Sequence, residues 1–130
     1  MRRNSGGGYT YPELAAAGLW TTPSDLARFM IGVQRNAGDK GRPLLSPAMM
    51  RTMLEPVKNS YALGLEIEGK GPTLSFSHGG SNMGFQNSLY AYVEHGDGAV
   101  VMTNGDNGPH WPRASCAPSL RNTANRAARS

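Results

Sequence analysis

One stretch of the chain decides the predicted fold: Ser77-His78-Gly79-Gly80-Ser81-Asn82-Met83-Gly84-Phe85. Two apolar runs follow it, at residues 89–93 and 99–103, and a polar, glycine-containing segment separates them. That segment contains Asp97-Gly98, a dipeptide favoured in hairpin turns, so we place a turn there. The predicted order is strand, glycine-rich opening, strand, tight turn and strand. Walls of active sites are often built in this way.

The residues before this stretch predict two further strands. Apolar and polar residues alternate over residues 61–67, with Tyr61, Leu63, Leu65 and Ile67 on one face, which is typical of a half-buried strand. Residues 69–72 then turn the chain. Leu74, Phe76 and His78 share one face of the next strand, so the sequence predicts four antiparallel strands in all.

Two helices are predicted before the strands. Thr22 can cap free amide groups, Pro23 suits the first helical position, and Asp25 completes a capping-box-like pattern. Ser46-Pro47 is a similar start for a second helix. The predicted inner face of the first helix consists of Leu26, Phe29, Met30 and Val33, and that of the second consists of Met49, Met50, Met53 and Leu54.

These elements predict an α+β fold, with an antiparallel sheet and flanking helices. A chain of 130 residues fits one domain, and with 38% apolar residues its core is modest. We divide the chain into an extended lead-in at residues 1–12, a folded part at residues 13–108, and a tail at residues 109–130. The tail is basic and lacks a sustained apolar stripe, so we expect it to be poorly ordered.

Charge and composition exclude several classes of function. The net charge is +4, but residues 13–108 carry seven Lys/Arg and nine Asp/Glu, so the surplus lies in the two ends and specific nucleic-acid binding is not expected. A lone cysteine, Cys116, excludes an internal disulfide, and three dispersed histidines do not form a metal site. We expect no cofactor or metal. No apolar run is long enough to span a membrane and no signal peptide is evident, so we expect a soluble chain.

The glycine-rich opening is the candidate site. Gly79 and Gly80 remove side chains beside a strand end, so another group can approach the backbone closely. Amide groups exposed there can donate to an oxyanion, and His78 can carry a proton or donate a hydrogen bond. These residues also suit a purely structural turn. A third reading is a local triad, in which Ser81 approaches His78 across the turn and Asp97 or Asp106 orients the imidazole.

The segment HGGSNMGF at residues 78–85 resembles the third conserved box of the serine β-lactamase-like family. That family includes class C β-lactamases, family VIII carboxylesterases and penicillin-binding-protein-like hydrolases. Four further segments resemble the family in the same order along the chain: AAGLWTTPSDLARF at residues 16–29, LLSP at 44–47, YALGL at 61–65 and VVMTNG at 100–105. Residues 13–108 therefore resemble the C-terminal half of such a domain, which implies a partial β-lactamase/penicillin-binding-protein-like fold.

The resemblance implies roles for individual residues. His78 would replace the cation of the box and help to hold a substrate carboxylate or polarise the site. The backbone amide of Ser81 would form one half of an oxyanion hole. Gly79, Gly80 and Asn82 would lie beside the substrate, a small ester, amide or β-lactam that the family hydrolyses through an acyl-enzyme.

Two motifs of that chemistry are missing from the chain. No serine has a lysine three residues later, and no tyrosine has an asparagine two residues later. We therefore expect a fragment of a serine hydrolase that is inactive alone, with either a homo-oligomer or a complementing N-terminal half as its partner. The alternative is a non-catalytic binding or self-assembling module that keeps the substrate-facing strand. Both readings favour association, either with the complementing half or as a homo-oligomer.

Overall fold

The computed structural model describes residues 2–3, 9–10, 12–38, 40 and 43–106. Strands β1 (Arg2–Arg3) and β2 (Tyr9–Thr10) form a short antiparallel pair. The remaining elements are helices α1 (Leu14–Ala17), α2 (Pro23–Ala37) and α3 (Pro47–Leu54), and strands β3 (Glu66–Glu68), β4 (Ser75–Asn82), β5 (Phe85–Tyr92) and β6 (Gly98–Thr103). A short 3₁₀ helix, Gly71–Thr73, lies between β3 and β4. The predicted tail at residues 109–130 lies outside the described residues.

Strands β3 to β6 form one antiparallel sheet in the order β3-β4-β5-β6. Each strand therefore pairs with its neighbour in the chain, and β4 and β5 are aligned over their full length of eight residues. Helices α2 and α3 contact each other, and α2 also contacts β5 and β6. The predicted α+β fold, an antiparallel sheet with flanking helices, is confirmed.

Both predicted helix starts occur in the structure. The side chain of Thr22 accepts a hydrogen bond from the Asp25 amide at 3.1 Å, and Pro23 is the first helical residue. The side chain of Ser46 accepts from the Met49 amide at 3.2 Å. These bonds satisfy amide groups that have no partner inside a helix, which fixes where each helix begins.

The prediction that Phe29 and Met49 belong to the inner helix faces was wrong. Phe29 is 42% exposed and Met49 is 49% exposed. Gln34 is buried in α2 because its side-chain amide donates to two carbonyl oxygens at the end of the β5–β6 hairpin, those of Tyr92 at 2.8 Å and Asp97 at 3.1 Å. This polar anchor turns the inward face of α2 away from Phe29.

The predicted strand at residues 61–67 is mostly a turn. Only its last two residues belong to β3, and Tyr61 and Leu63 are 56% and 50% exposed. Gly64 has a φ of +78°, a left-handed conformation that interrupts extended backbone. The Ala62 amide then donates to the Leu65 carbonyl at 2.8 Å, which closes the turn.

Two predicted breaks in the sheet lie elsewhere. The expected glycine-rich opening is part of β4, which continues to Asn82, and the chain reverses at Met83 and Gly84. The expected turn at Asp97-Gly98 comes earlier, with Gly96 at a φ of +77°. Gly98 begins β6, where a Cβ atom would lie 2.7 Å from Met30 Cε in α2, so this glycine permits close helix packing.

The core lies between one face of the sheet and helices α2 and α3. Phe76 in β4 and Ala91 in β5 are aligned and fully buried at 0% exposure. Other buried members of this cluster are Met30, Val33, Met50, Leu65, Ile67, Leu89 and Val93. Within β4, only the first half contributes to the buried cluster, and the residues that follow Phe76 lie outside it.

The opposite face of the sheet carries a pair of tyrosines. The rings of Tyr90 and Tyr92 meet edge to face with centroids 5.4 Å apart. Burial raises the pKa of the Tyr90 phenol to about 12; a hydrogen bond with Ser75 acts in the opposite direction, and one with Tyr92 raises it further.

No helix in the described part of the chain is long and apolar enough to cross a membrane.

We predict that Phe76→Ala lowers the free energy of unfolding by about 3–5 kcal/mol, because it leaves a cavity in the centre of the core. Phe29→Ala is the matched control. It removes the same atoms from a side chain that is 42% exposed, so the loss should be about 1 kcal/mol or less. Urea denaturation measures both values. Equal losses for the two variants would contradict the position of the core.

We also predict that stability falls as the pH rises from about 10 to 12. The pKa of Tyr90 is higher in the folded chain than in the unfolded chain, so the unfolded chain loses this proton first and is favoured across that interval. Tyr90→Phe should make the decline shallower. Tyr61→Phe, at a side chain 56% exposed, is the control and should leave the decline unchanged. If the stability of Tyr90→Phe declined as steeply with pH as that of the wild type, this interpretation would be contradicted.

Candidate active-site strand

The predicted site residues lie together on the second half of β4. His78, Gly79, Gly80 and Ser81 are exposed, and Asn82 is half-buried. They form one continuous segment of strand, not a loop, because residues 85–89 of β5 pair with them one by one. The second half of β4 thus presents backbone and side chains at the surface in a fixed, extended geometry.

The hydrogen-bond pattern of β4 is set by its first residues. The Val93 amide donates to the Leu74 carbonyl at 2.9 Å, so residue 74 is directed at β5. In an antiparallel ladder this direction alternates along the strand. Residues 76, 78, 80 and 82 are therefore also directed at β5, whereas residues 75, 77, 79 and 81 are directed at the other edge.

That other edge is only partly covered. Strand β3 pairs with residues 75–77 and reaches no further than Ser77. The amide and carbonyl groups of Gly79 and Ser81 are directed past the end of β3, and no backbone partner for them exists among the residues that the structure describes. Two amide donors and two carbonyl acceptors are thus left unpaired by the described residues; we name this side of residues 79–81 the β4 edge.

The side chains of the segment divide between the two faces of the sheet. His78, Gly80 and Asn82 alternate onto the face that carries Phe76, and Ser81 lies on the opposite face. The turn expected between His78 and Ser81 is absent, so the strand does not bring their side chains together as the local triad requires. Asp106, one expected member of that triad, instead accepts a hydrogen bond from the Gly84 amide.

Two residues that the sequence did not single out support the segment. The side-chain amide of Gln86 donates to the Ser81 hydroxyl oxygen at 2.7 Å across the β4–β5 pair. The bond between Asp106 and Gly84 joins the turn after β4 to the chain after β6. Only the strand register reveals either contact, because neither pair has a spacing that marks it in the sequence.

A cleft adjoins the end of β4. It has a volume of about 330 Å³ and lies between the segment that follows α1 and the ends of β5 and β6. Asn82 lines it and donates to the Ala17 carbonyl at 3.4 Å. Trp20 and Phe85 also line it, with ring centroids 5.8 Å apart and an interplanar angle of 75°. We name it the Trp20–Phe85 cleft.

The described residues contain no group of three or more His, Cys, Asp or Glu side chains that could hold a metal ion. The chemical groups that residues 78–82 present are backbone amides and carbonyls, one imidazole, one hydroxyl and one carboxamide. Such a set can bind a polarised carbonyl group or a carboxylate.

Comparison with known proteins agrees with the resemblance seen in the motifs. A family model described as Beta-lactamase matches residues 2–124, and so extends beyond residues 13–108 in both directions. No curated protein matches the chain, and no solved structure does. The antiparallel sheet with its few helices agrees with part of the β-lactamase fold. The match covers most of the chain, which therefore belongs to the Beta-lactamase family.

Proposed function

We propose that the β4 edge is the substrate-facing wall of a serine hydrolase site, and that its substrates are small esters, amides or β-lactams. The observation that carries this proposal is the outward direction of the Gly79 and Ser81 amides at an edge that β3 leaves uncovered. Fixed amide donors of this kind stabilise the negative charge that develops on a carbonyl oxygen during acyl transfer.

In this proposal each residue of the segment has a role. The Ser81 amide forms one half of the oxyanion hole and donates to the carbonyl oxygen. Loss of one such donor reduces kcat by about 10²–10³ in enzymes of this type. Gly79 and Gly80 keep the edge accessible to the substrate. His78 binds a substrate carboxylate or polarises the site, and Asn82 contacts the substrate from the end of the strand.

The nucleophile and its base come from outside this strand. The chain has no Ser-x-x-Lys and no Tyr-x-Asn sequence, the two motifs that supply the nucleophile and the proton carriers in the family it resembles. We therefore propose that a complementing N-terminal half provides them, and that the β4 edge faces that half across the substrate.

A second candidate function is that of a non-catalytic binding or self-assembling module. The same uncovered edge can pair with another strand, because its amide and carbonyl groups are directed outward in register. Exposed apolar side chains near the strand end, Leu19, Trp20 and Met83, also favour association, including a homo-oligomer. Hydrolysis by the chain itself would exclude this alternative.

We predict that the purified chain alone binds nitrocefin without hydrolysing it. Loss of a nucleophile with its base reduces acyl transfer by on the order of a millionfold, so no turnover of nitrocefin or of a p-nitrophenyl ester should be measurable. A fluorophosphonate probe should label no serine. In ¹⁵N NMR spectra, intact nitrocefin should shift the amide signals of Gly79 and Ser81 more than those of Gly80 and Asn82.

The control variant is Ser81→Ala, which removes the hydroxyl group and keeps the backbone amide. Its NMR response to nitrocefin should equal that of the wild type, because the proposed donor is the amide. Turnover that survives repurification and disappears in Ser81→Ala would contradict the proposal and favour Ser81 as a nucleophile. Shifts confined to residues remote from β4 would contradict the assignment of the edge.

A further inference from the structure

A large cavity lies at the opposite end of β4 from the candidate site. Its volume is about 740 Å³, within the range of about 300–1,000 Å³ that is typical of small-molecule sites. Leu74, just before β4, and Val93, just after β5, line it together with the last residues of α2 and one side of α3. We name it the α2–α3 cavity. It shares no lining residue with the Trp20–Phe85 cleft or with residues 78–82.

The least exposed part of the cavity lining is largely apolar. Met50 of α3 is 3% exposed and Val93 is 8% exposed, while Leu54 and Leu74 are half-buried lining residues. An apolar group that enters the cavity removes part of this surface from water, which is favourable in proportion to the area covered. The lining therefore favours an occupant with apolar side chains.

Two buried carboxamides of α2 also line the cavity, and each has one unpaired group. Asn36 is 7% exposed. Its side-chain oxygen accepts from the Leu45 amide at 2.8 Å, but its N–H₂ group has no acceptor among the described residues. Gln34 is also 7% exposed, and its N–H₂ group is bonded to the β5–β6 hairpin, whereas its oxygen has no donor in the described part of the chain. Since buried polar groups normally have partners, one donor and one acceptor remain for an occupant, which is the complement of an amide group.

The exposed lining residues include four charged side chains: Lys40, Arg51, Glu55 and Glu94. None of the four forms an ion pair with a described residue, although Arg51 and Glu55 have the four-residue spacing that allows one on a helix. A purely anionic occupant would meet two carboxylates, and a purely cationic one would meet two cations. A ligand that carries both charges, separated along its length, is therefore complementary to this set.

We infer that the α2–α3 cavity binds a short peptide with free termini and apolar side chains. Arg51 of α3 binds the peptide carboxylate, and Glu94, which comes from the sheet side of the cavity, binds the ammonium group. Between the two ends, the peptide bond accepts from Asn36 and donates to Gln34. The apolar side chains pack against the lining around Met50. This site is separate from the β4 edge, so the inference does not rest on the proposed function.

Titration of the full chain with leucyl-leucine, followed by ¹⁵N NMR, tests the inference. The side-chain amide signals of Asn36 and Gln34 should shift. Glycyl-glycine keeps both charged ends but has no apolar side chains, and N-acetyl-leucyl-leucinamide keeps the side chains but has no charged ends. Each should bind about tenfold or more weakly than leucyl-leucine. Equal binding of either probe would overturn the inference, and so would shifts confined to the Gly79 and Ser81 amides, which would place the peptide at the β4 edge.

A variant pair tests the contact with the carboxylate. Arg51→Gln should weaken the binding of leucyl-leucine by about fivefold or more, because the carboxylate loses its cation. Arg35→Gln is the matched control. It removes an exposed cation of α2 that does not line the cavity, and it should bind leucyl-leucine like the wild type. Both side chains are exposed, so both variants should fold, which the dispersion of the NMR spectrum checks. Unchanged binding by folded Arg51→Gln would overturn the inference.

Ligands with one end blocked test the orientation of the peptide. Leucyl-leucinamide has no carboxylate, so Arg51→Gln should bind it as the wild type does. N-acetyl-leucyl-leucine has no ammonium group, so Glu94→Gln should bind it as the wild type does, while its binding of leucyl-leucine should fall by about fivefold or more. If each variant weakened the binding of both its ligands equally, the two ends of the peptide would not lie at Arg51 and Glu94, and the inference would be overturned.

Discussion

The unequal pairing of β4 with its two neighbours is the constraint on which the site depends. Strand β5 pairs with all eight residues of β4, whereas β3 pairs with only the first three. Within the described part of the chain, the first half of β4 is therefore an interior strand, and the second half is an edge strand that is paired on one side only. A hydrogen-bonded segment with one uncovered edge is rigid and accessible at once, which a loop of the same sequence would not be.

The core and the site are linked through the alternation of this strand. Phe76 is fully buried against Ile67 and Ala91, the residues aligned with it in the neighbouring strands. Two residues later His78 is on the same face but lies at the surface. Since Phe76 fixes which residues face the helices, it also fixes that Gly79 and Ser81 direct their amides to the uncovered edge. The buried half of β4 thus sets the orientation of the exposed half.

Much of the fold could be predicted from the sequence, because hydrogen bonds between residues close together in the chain determine where the helices begin. Thr22 and Ser46 cap helices through bonds to residues three positions away, and such spacings are visible in the sequence. The features that the sequence did not predict depend on contacts between residues far apart in the chain. Gln34 is inward because its side chain donates to the carbonyl oxygens of Tyr92 and Asp97. Gly98 belongs to β6 because it pairs with Ala91, and its missing side chain leaves room for Met30. The glycines at 79 and 80 suggested a break, but pairing with β5 keeps them extended.

The sequence motif was enough to locate the candidate site. Its geometry follows from the register in which β4 pairs with β3 and β5, which the motif does not show. The sequence placed residues 78–82 beside a substrate, yet it could not show that odd and even residues differ in the direction of their amides. It also gave no sign of the Trp20–Phe85 cleft, because this cleft joins residues from three separate parts of the chain.

Amide hydrogen exchange of the free chain tests the central claim most directly. We expect the Gly79 and Ser81 amides to exchange rapidly, and the Gly80 amide, which is bonded to β5, to exchange at least about tenfold more slowly. His78, also bonded to β5, should be protected like Gly80. Uniform protection from residue 78 to residue 82 would show that the edge is covered, and would contradict the account.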